Sequence, residues 1–331
     1  MSEFELISPP DDNISSLRFS PSEATSLLVS SWDSLLRLYQ IDPDSRESQL
    51  SATYHHRSAI LDCCFSDGNH AFTAGLDGRI GLFDLHAGNE STVGLHDDAV
   101  RRVLYNSDSS LLISGSWDKS LKLYDSKSGN SAGDICLPEK VYTMATVNTK
   151  VIVGMANRKV YIFDTRNFKM PLQKRESSLK FMTRTIECMP NGEGYISTSV
   201  EGRVAVEFFD PSPDVQAKKY AFKCHRQTAG EQDIVYPVNA IAFHPKFHTF
   251  LSGGGDGTVS VWDYVARKRM RQLANFDISI AALGYSHDGR LLAYGLSSDE
   301  DLEGGPKITT PKVVVRILAE EDTKGKGLSP G

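Results

Sequence analysis

One unit recurs along nearly the whole chain at a spacing of about 40–45 residues, and this repeat limits the possible folds more than any other feature. Each copy has an apolar strand, a turn, a second strand, a tight acidic turn, and a third strand that closes on an aromatic residue and Asp. The clearest copy is AVRRVLYNSDSSLLISGSWDKSLKLYD (99–125), and the only literal Trp-Asp closure is Trp262-Asp263 in the copy YPVNAIAFHPKFHTFLSGGGDGTVSVWD. The acidic turns fall at Asp33, Asp77, Asp118, Asn157, Glu201 and Asp256, separated by 44, 41, 39, 44 and 55 residues. The long last gap places an insertion after Phe209-Asp210, at the outer edge of the fifth copy. A seventh, degenerate copy runs from ISIAALGYSHDGRLLAYGLSSD through an acidic Gly-rich loop (299–306) to KVVVRIL. Strands that alternate apolar and polar residues between tight turns have one face to bury, and radial repetition of such sheets is the propeller solution.

The fold expected is therefore all-β: a single seven-bladed β-propeller over residues 1–318, followed by a disordered tail over 319–331. A ring of sheets must protect its end strands. The segment FELI (4–7), ahead of the Pro9-Pro10 break, is expected to close the ring as the outer strand of the last blade. The longest apolar runs are strand-sized, far short of a membrane helix, and the first residues lack the pattern of a signal peptide. Five cysteines (Cys63, Cys64, Cys136, Cys188 and Cys224) form no CxxC pair, which argues for reduced thiols and against a structural zinc.

Catalysis is not indicated. The Asp, His and Ser residues recur with the blade rather than forming one unique set, and there is no GxxxxGK[ST], HExxH or GxSxG. The Gly253–Gly257 run leads into a strand rather than a helix, so it reads as a turn. No catalytic residue, metal or cofactor is expected. His56 and His96, whose spacing follows the repeat, read as structural rather than as part of a triad.

Binding is indicated by two columns of the repeat. The residue before each turn acid is Trp32, Leu76, Trp117, Ala156, Val200 or Gly255, and a position that accepts both Gly and Trp is not uniform core. Blades one and three thus place an indole near the rim of one face, as a peptide anchor or as packing against a neighbouring blade. Two residues past the turn acid stand Leu35, Arg79, Ser120, Lys159, Arg203 and Thr258. The net charge is −6, yet the stretch 174–226 carries nine Lys/Arg against seven Asp/Glu and is +2. Within it Arg203 is joined by Arg184 at the start of the inner strand and by Lys223 and Arg226 in YAFKCHR. Basic groups converging from separate strands suit a phosphate or carboxylate. Surface ion pairs with Glu187, Glu201, Glu207 or Asp210 are the alternative. With pI about 5.9, general attraction to nucleic acid or an anionic membrane is not expected.

The repeat resembles the WD40 repeats, although Tyr39-Gln40 replaces the closing dipeptide of the first copy and the usual Gly-His opening is absent. More specifically, RESSLKFMTR, SVEGRVAVEFFDPSP and KKYAFKCHR followed by YPVNAIAFHP, with SSWD, GSWDKSLKLYD and PEKVYTM earlier, resemble the Bub-type WD40 family of the mitotic spindle checkpoint. The likeness spans the full blade array. The sister family is the WD40 factor of messenger-RNA export, which supplies the alternative reading as a nuclear-pore and export adaptor. The resemblance implies a non-enzymatic, monomeric propeller working in hetero-complexes, located in the nucleus and at kinetochores with a cytoplasmic pool. Its implied partners are GLEBS-type motifs of checkpoint kinases and their pseudokinase relatives, together with phosphorylated Met-Glu-Leu-Thr repeats of the kinetochore scaffold. Carried onto this chain, Trp32, Trp117 and Glu207 would serve the GLEBS peptide, while Arg184, Arg203, Lys223 and Arg226 would form or border the phosphothreonine site.

Overall fold

A computed structural model describes residues 3–126, 129–230, 232–298 and 310–325. Among them, seven four-stranded antiparallel sheets follow one another along the chain, each spanning one sequence repeat. The innermost strands are Ile14–Phe19, Ile60–Phe65, Val100–Asn106, Val141–Val147, Thr183–Cys188, Val238–Phe243 and Ile280–Tyr285. Each packs on the innermost strand of the next blade, and that of blade seven returns to that of blade one, completing a ring. Second strands such as Ser26–Ser31 and Thr249–Gly254 are buried along their whole length, whereas the outer strand Glu47–His55 alternates exposed and covered residues. This gradient follows from position, because a middle strand has sheet on both edges and a blade on both faces.

The core is distributed between the blades. Leu28 and Leu36 of blade one meet Ile60, Cys63 and Phe83 of blade two, and the pattern repeats around the ring. Closure occurs as expected: Glu3–Glu5 pairs antiparallel with Lys312–Ile317, Phe4 opposite Val315. Leu6 then enters a cluster with Ile14, Tyr39 and Val313. Tyr39, the aromatic member of the closing pair whose acidic place is taken by Gln40, donates its hydroxyl to Ser8 O at 2.6 Å and so fastens the closing segment.

The turn acids lie where the repeat put them. The residue after each has a positive φ (Ser34, Gly78, Lys119, Arg158, Gly202 and Gly257), the left-handed last step of a three-residue hairpin loop. At Gly257 nothing larger fits, since a Cβ would stand 1.9 Å from Phe276 O.

The insertion of the fifth copy divides in two. One part (210–219), with helix α1 (Pro213–Gln216), joins the third strand Arg203–Phe208 to the outer strand Tyr220–Lys223. The other is a separate hairpin, Arg226–Ala229 with Gln232–Val235, beyond the opposite end of that strand. The tail differs from expectation. Residues 319–325 are placed, with helix α2 (Glu320–Thr323); Thr323 is buried and its carbonyl accepts from Thr249 Oγ1 at 2.8 Å. Asp322 faces Arg271 and Arg316, and these polar tethers carry no periodicity that a sequence pattern could register. The acidic loop 299–303 and the end of the tail, 326–331, lie outside the described residues.

Candidate functional site

Every innermost strand starts on one face of the ring, and every one breaks register at its second or third residue. The bulges fall at Ile14/Ser16, Ile60/Asp62, Val100/Arg102, Val141/Thr143, Thr183/Ile186, Val238/Ala240 and Ile280/Ala282. A bulge leaves one residue unpaired and re-aims its side chain. Six residues skipped in this way, Ser15, Leu61, Arg101, Arg184, Asn239 and Ala281, line one cavity of about 490 Å³ at the mouth of the central channel, and Tyr142 of blade four is outside its lining. Trp32 and Trp117, each just before its turn acid, line the same cavity.

The mouth is electropositive. Arg101 donates to Leu61 O at 3.2 Å, and its pKa is brought down to about 9 by burial and then by the neighbouring guanidinium of Arg102, with Arg184 adding to the effect. Below it, Asp62, with a fully buried side chain, is shared by Arg102 at 3.3 Å and Arg18 at 3.8 Å. Glu187 faces the same pair; burial raises its pKa against the pull of Arg18 and Arg102. Four arginines against two carboxylates leave an excess of positive charge that an acidic ligand would relieve. Trp117 Nε1 is a buried donor with no acceptor among the described residues, and Lys140 sits 5.9 Å from the centre of its ring. Trp32 is 45% exposed, so the first indole is not spent on packing between blades.

The basic residues of blade five form a row along the same face. Thr183, Ser199, Arg203 and Lys223 are cross-strand partners in succession, from the channel to the rim. Arg184 therefore stands at the inner end and Arg203 about 10 Å outward, two strand spacings away. Arg184 donates to Asn239 Oδ1 at 2.9 Å and belongs to the mouth with the two indoles. Arg203 lies 3.0 Å from Glu201, and Arg226 reaches Asp233 at 3.4 Å and the carbonyls of Glu201 and Gly202. Lys223 is exposed and in no ion pair among the described residues. Sequence reasoning grouped these four; the fold splits them into one at the mouth and three at the rim.

Glu207 is not among the residues that line the mouth. It is buried, accepts from Tyr195 OH at 2.7 Å and Ser178 Oγ at 3.0 Å, and lies 3.9 Å from Arg175. Through Ser178 it ties down the loop 177–182, which presents Phe181 and Met182 to solvent. The spacing of a strand glutamate says nothing about whether a loop from the preceding blade folds over it. Conversely, Arg18, Arg101 and Arg102 were not singled out in the sequence. Arg101 falls at the skipped position of its inner strand, as Arg184 does in blade five.

The His networks give the recurring Ser, His and Asp a structural role within the blades. His225 uses Nδ1 towards Asp256 and Nε2 towards Ser252, both at 2.8 Å, the connectivity of a catalytic triad. Ser252 is fully buried and also accepts from Trp262 Nε1 at 2.8 Å, so no substrate reaches its oxygen. His96 makes the same links to Asp118 and Ser114. His56 does not, turning instead to the backbone of Ser58. Among the described residues no group of three or more His, Cys, Asp or Glu could hold a metal ion.

The family model "WD domain, G-beta repeat" matches residues 4–40, 48–84, 90–125 and 222–263. Over 328 residues the chain is 46% identical to the mitotic checkpoint protein BUB3.1 of Arabidopsis thaliana, covering 97% of this chain and 94% of the relative. It is 42% identical to the mitotic checkpoint protein bub3 of Dictyostelium discoideum over 97% of this chain and 96% of that one. The Poly(A)+ RNA export protein of Schizosaccharomyces pombe is 37% identical over 90% of this chain and 84% of its own length.

Proposed function

The chain belongs to the BUB3 family of mitotic checkpoint WD40 proteins, and from that premise we propose that it is a non-enzymatic adaptor with two adjoining peptide sites on one face of the ring. One site grips a GLEBS-type motif of a checkpoint kinase or pseudokinase. The other reads phosphorylated Met-Glu-Leu-Thr repeats of the kinetochore scaffold, so that phosphorylation switches recruitment. The observation that carries this reading is the continuity of the surface: two indoles around an electropositive mouth, joined across blade five to a rim that bears Arg203, Lys223 and Arg226.

The chemistry divides between the two parts. Trp32 and Trp117 supply large apolar area, and Trp117 Nε1 supplies a donor to a peptide carbonyl or carboxylate. The arginines of the mouth take the acidic residues of the GLEBS-type motif. At the rim, guanidinium forks and an ammonium meet a phosphothreonine carrying nearly two negative charges. Glu207 contributes through the loop it anchors. Such an adaptor works at kinetochores and in the nucleus, with a cytoplasmic pool, wherever its kinase partners are.

The test is a pull-down from mitotic extract with and without phosphatase. Checkpoint kinases are expected in both samples and the scaffold only in the untreated one. Recovery of nuclear-pore proteins in their place would favour the export reading, to which the 37% identical RNA export relative belongs.

A further inference from the structure

A second cavity, roomier than the mouth, lies on the opposite face, where nothing in the proposed function operates. We propose that this cleft is a second docking site, for a short peptide with an aromatic or aliphatic anchor flanked by Asp or Glu.

The cleft holds about 640 Å³ between blades four, five and six. Its lining comes from the ends of second, third and outer strands that lie away from the mouth face. Arg203 begins the third strand of blade five on the mouth face, and Phe208 and Phe209 close it on this one. The first part of the blade-five insertion, with helix α1, forms one wall, and the turn after Asp263 the other. Phe208, Phe209, Tyr220 and Tyr264 supply rings, and Val265 is 58% exposed at the edge. Apolar area of this kind, open to water and bounded by polar groups, marks interaction sites.

The charges at the edge select the flanks. Lys150 stands 5.2 Å from the centre of the Phe209 ring and Arg267 4.8 Å from that of Tyr220. Neither they nor Lys218 form an ion pair among the described residues. Lys150 lies opposite Asp164, but both oxygens of that carboxylate are held by Arg166, at 2.8 and 2.5 Å. The two carboxylates of the lining are likewise engaged, Asp210 with the Ser212 backbone at 2.8 Å and Glu193 with Asn191 Nδ2 at 3.0 Å. Three cations without an acidic partner around an aromatic hollow complement an apolar residue between acids. A nucleic acid is disfavoured, because Glu193 and Asp210 interrupt the basic edge and no basic track leads away over a chain of net charge −6.

The experiment is panning of a display library of random short peptides against the full chain, followed by anisotropy with the fluorescein-labelled winners. Enrichment of peptides with Phe, Trp, Leu or Ile beside at least two Asp or Glu is expected. Their affinity should fall about tenfold or more with Val265→Asp and with the double variant Lys150→Glu/Lys218→Glu, and should be unmoved by Trp32→Ala. All these substitutions lie at exposed or half-exposed positions, and circular dichroism controls for folding. No enrichment, winners without acids, or winners lost with Trp32→Ala but not with Val265→Asp would overturn the proposal. So would labelled single-stranded RNA that binds the wild type and is lost with the Lys150→Glu/Lys218→Glu variant. Because Trp32 and Val265 are on opposite faces, failure here leaves the checkpoint reading untouched.

Discussion

Arg203→Ala separates a phosphate reader from a basic surface. The guanidinium stands third in the row across blade five, 3.0 Å from Glu201, with Lys223 as its partner on the outer strand. A hydrogen bond to a charged group contributes about 1.5–3 kcal/mol, so loss of the direct contact alone should weaken phosphopeptide binding about 10- to 100-fold. A second effect adds to it. Without Arg203, the Glu201 carboxylate faces the incoming phosphate uncompensated, and two unit charges about 6 Å apart at an effective dielectric constant of about 20 repel by roughly 3 kcal/mol before screening by salt. The double variant Arg203→Ala/Glu201→Ala should therefore bind better than Arg203→Ala alone. Isothermal titration with phosphorylated and unphosphorylated Met-Glu-Leu-Thr peptides measures both terms. The loss should be confined to the phosphorylated peptide and should shrink as ionic strength rises. An equal loss for both peptides, or a double variant no better than the single one, would refute the assignment.

Three further outcomes are expected. Trp32→Ala should cost on the order of 2 kcal/mol in affinity for a GLEBS-type peptide, about 30-fold by titration, while leaving thermal stability unchanged because the indole is largely exposed. Tyr195→Phe removes a donor from buried Glu207 and should cost about 1–3 kcal/mol in urea unfolding; the same variant should raise protease sensitivity in the loop 177–182. Burial brings His244 down to about 4, and its Nδ1 accepts from the backbone N–H groups of Lys246 and Phe247. The unfolded chain takes up that proton near the ordinary histidine value of about 6.5 and the folded one only near 4, so this contribution is present above about pH 6.5 and is lost as pH falls towards 4. A melting curve taken from about pH 7 to about pH 5 should move down, and His244→Asn should flatten the profile.

The ring was legible because its cause is periodic. Turn acids at near-constant spacing fix where each hairpin reverses, and the apolar strands between them have one packing solution; the closing FELI segment followed from the need to cover an edge. The candidate site was half legible. Trp32 and Trp117 stood out because they occupy a column that elsewhere holds Ala, Val and Gly. Arg101 stayed hidden because the bulge that turns it into the mouth depends on the packing of seven strands around an axis, which no single repeat encodes. The burial of Glu207 was hidden for a related reason: it is decided by residues 177–182 of the preceding connection. The long gap before Asp256 was visible as extra residues but not as two pieces leaving opposite ends of one strand. Turn chemistry such as the Asp210–Ser212 contact sets those exits locally.

The seven bulges carry a consequence for how such a molecule can change over time. A residue skipped by the ladder forms no rung of its own sheet, so Ser15, Arg101, Arg184, Asn239 and Ala281 can be exchanged without breaking a strand pairing, whereas Leu61 is buried and belongs to the core. The mouth thus behaves like a combination lock in which two of the wheels, Arg184 and Asn239, are geared together by a hydrogen bond. A lineage could redirect which acidic segment it accepts by altering one wheel at a time, with the walls of the ring left as they were.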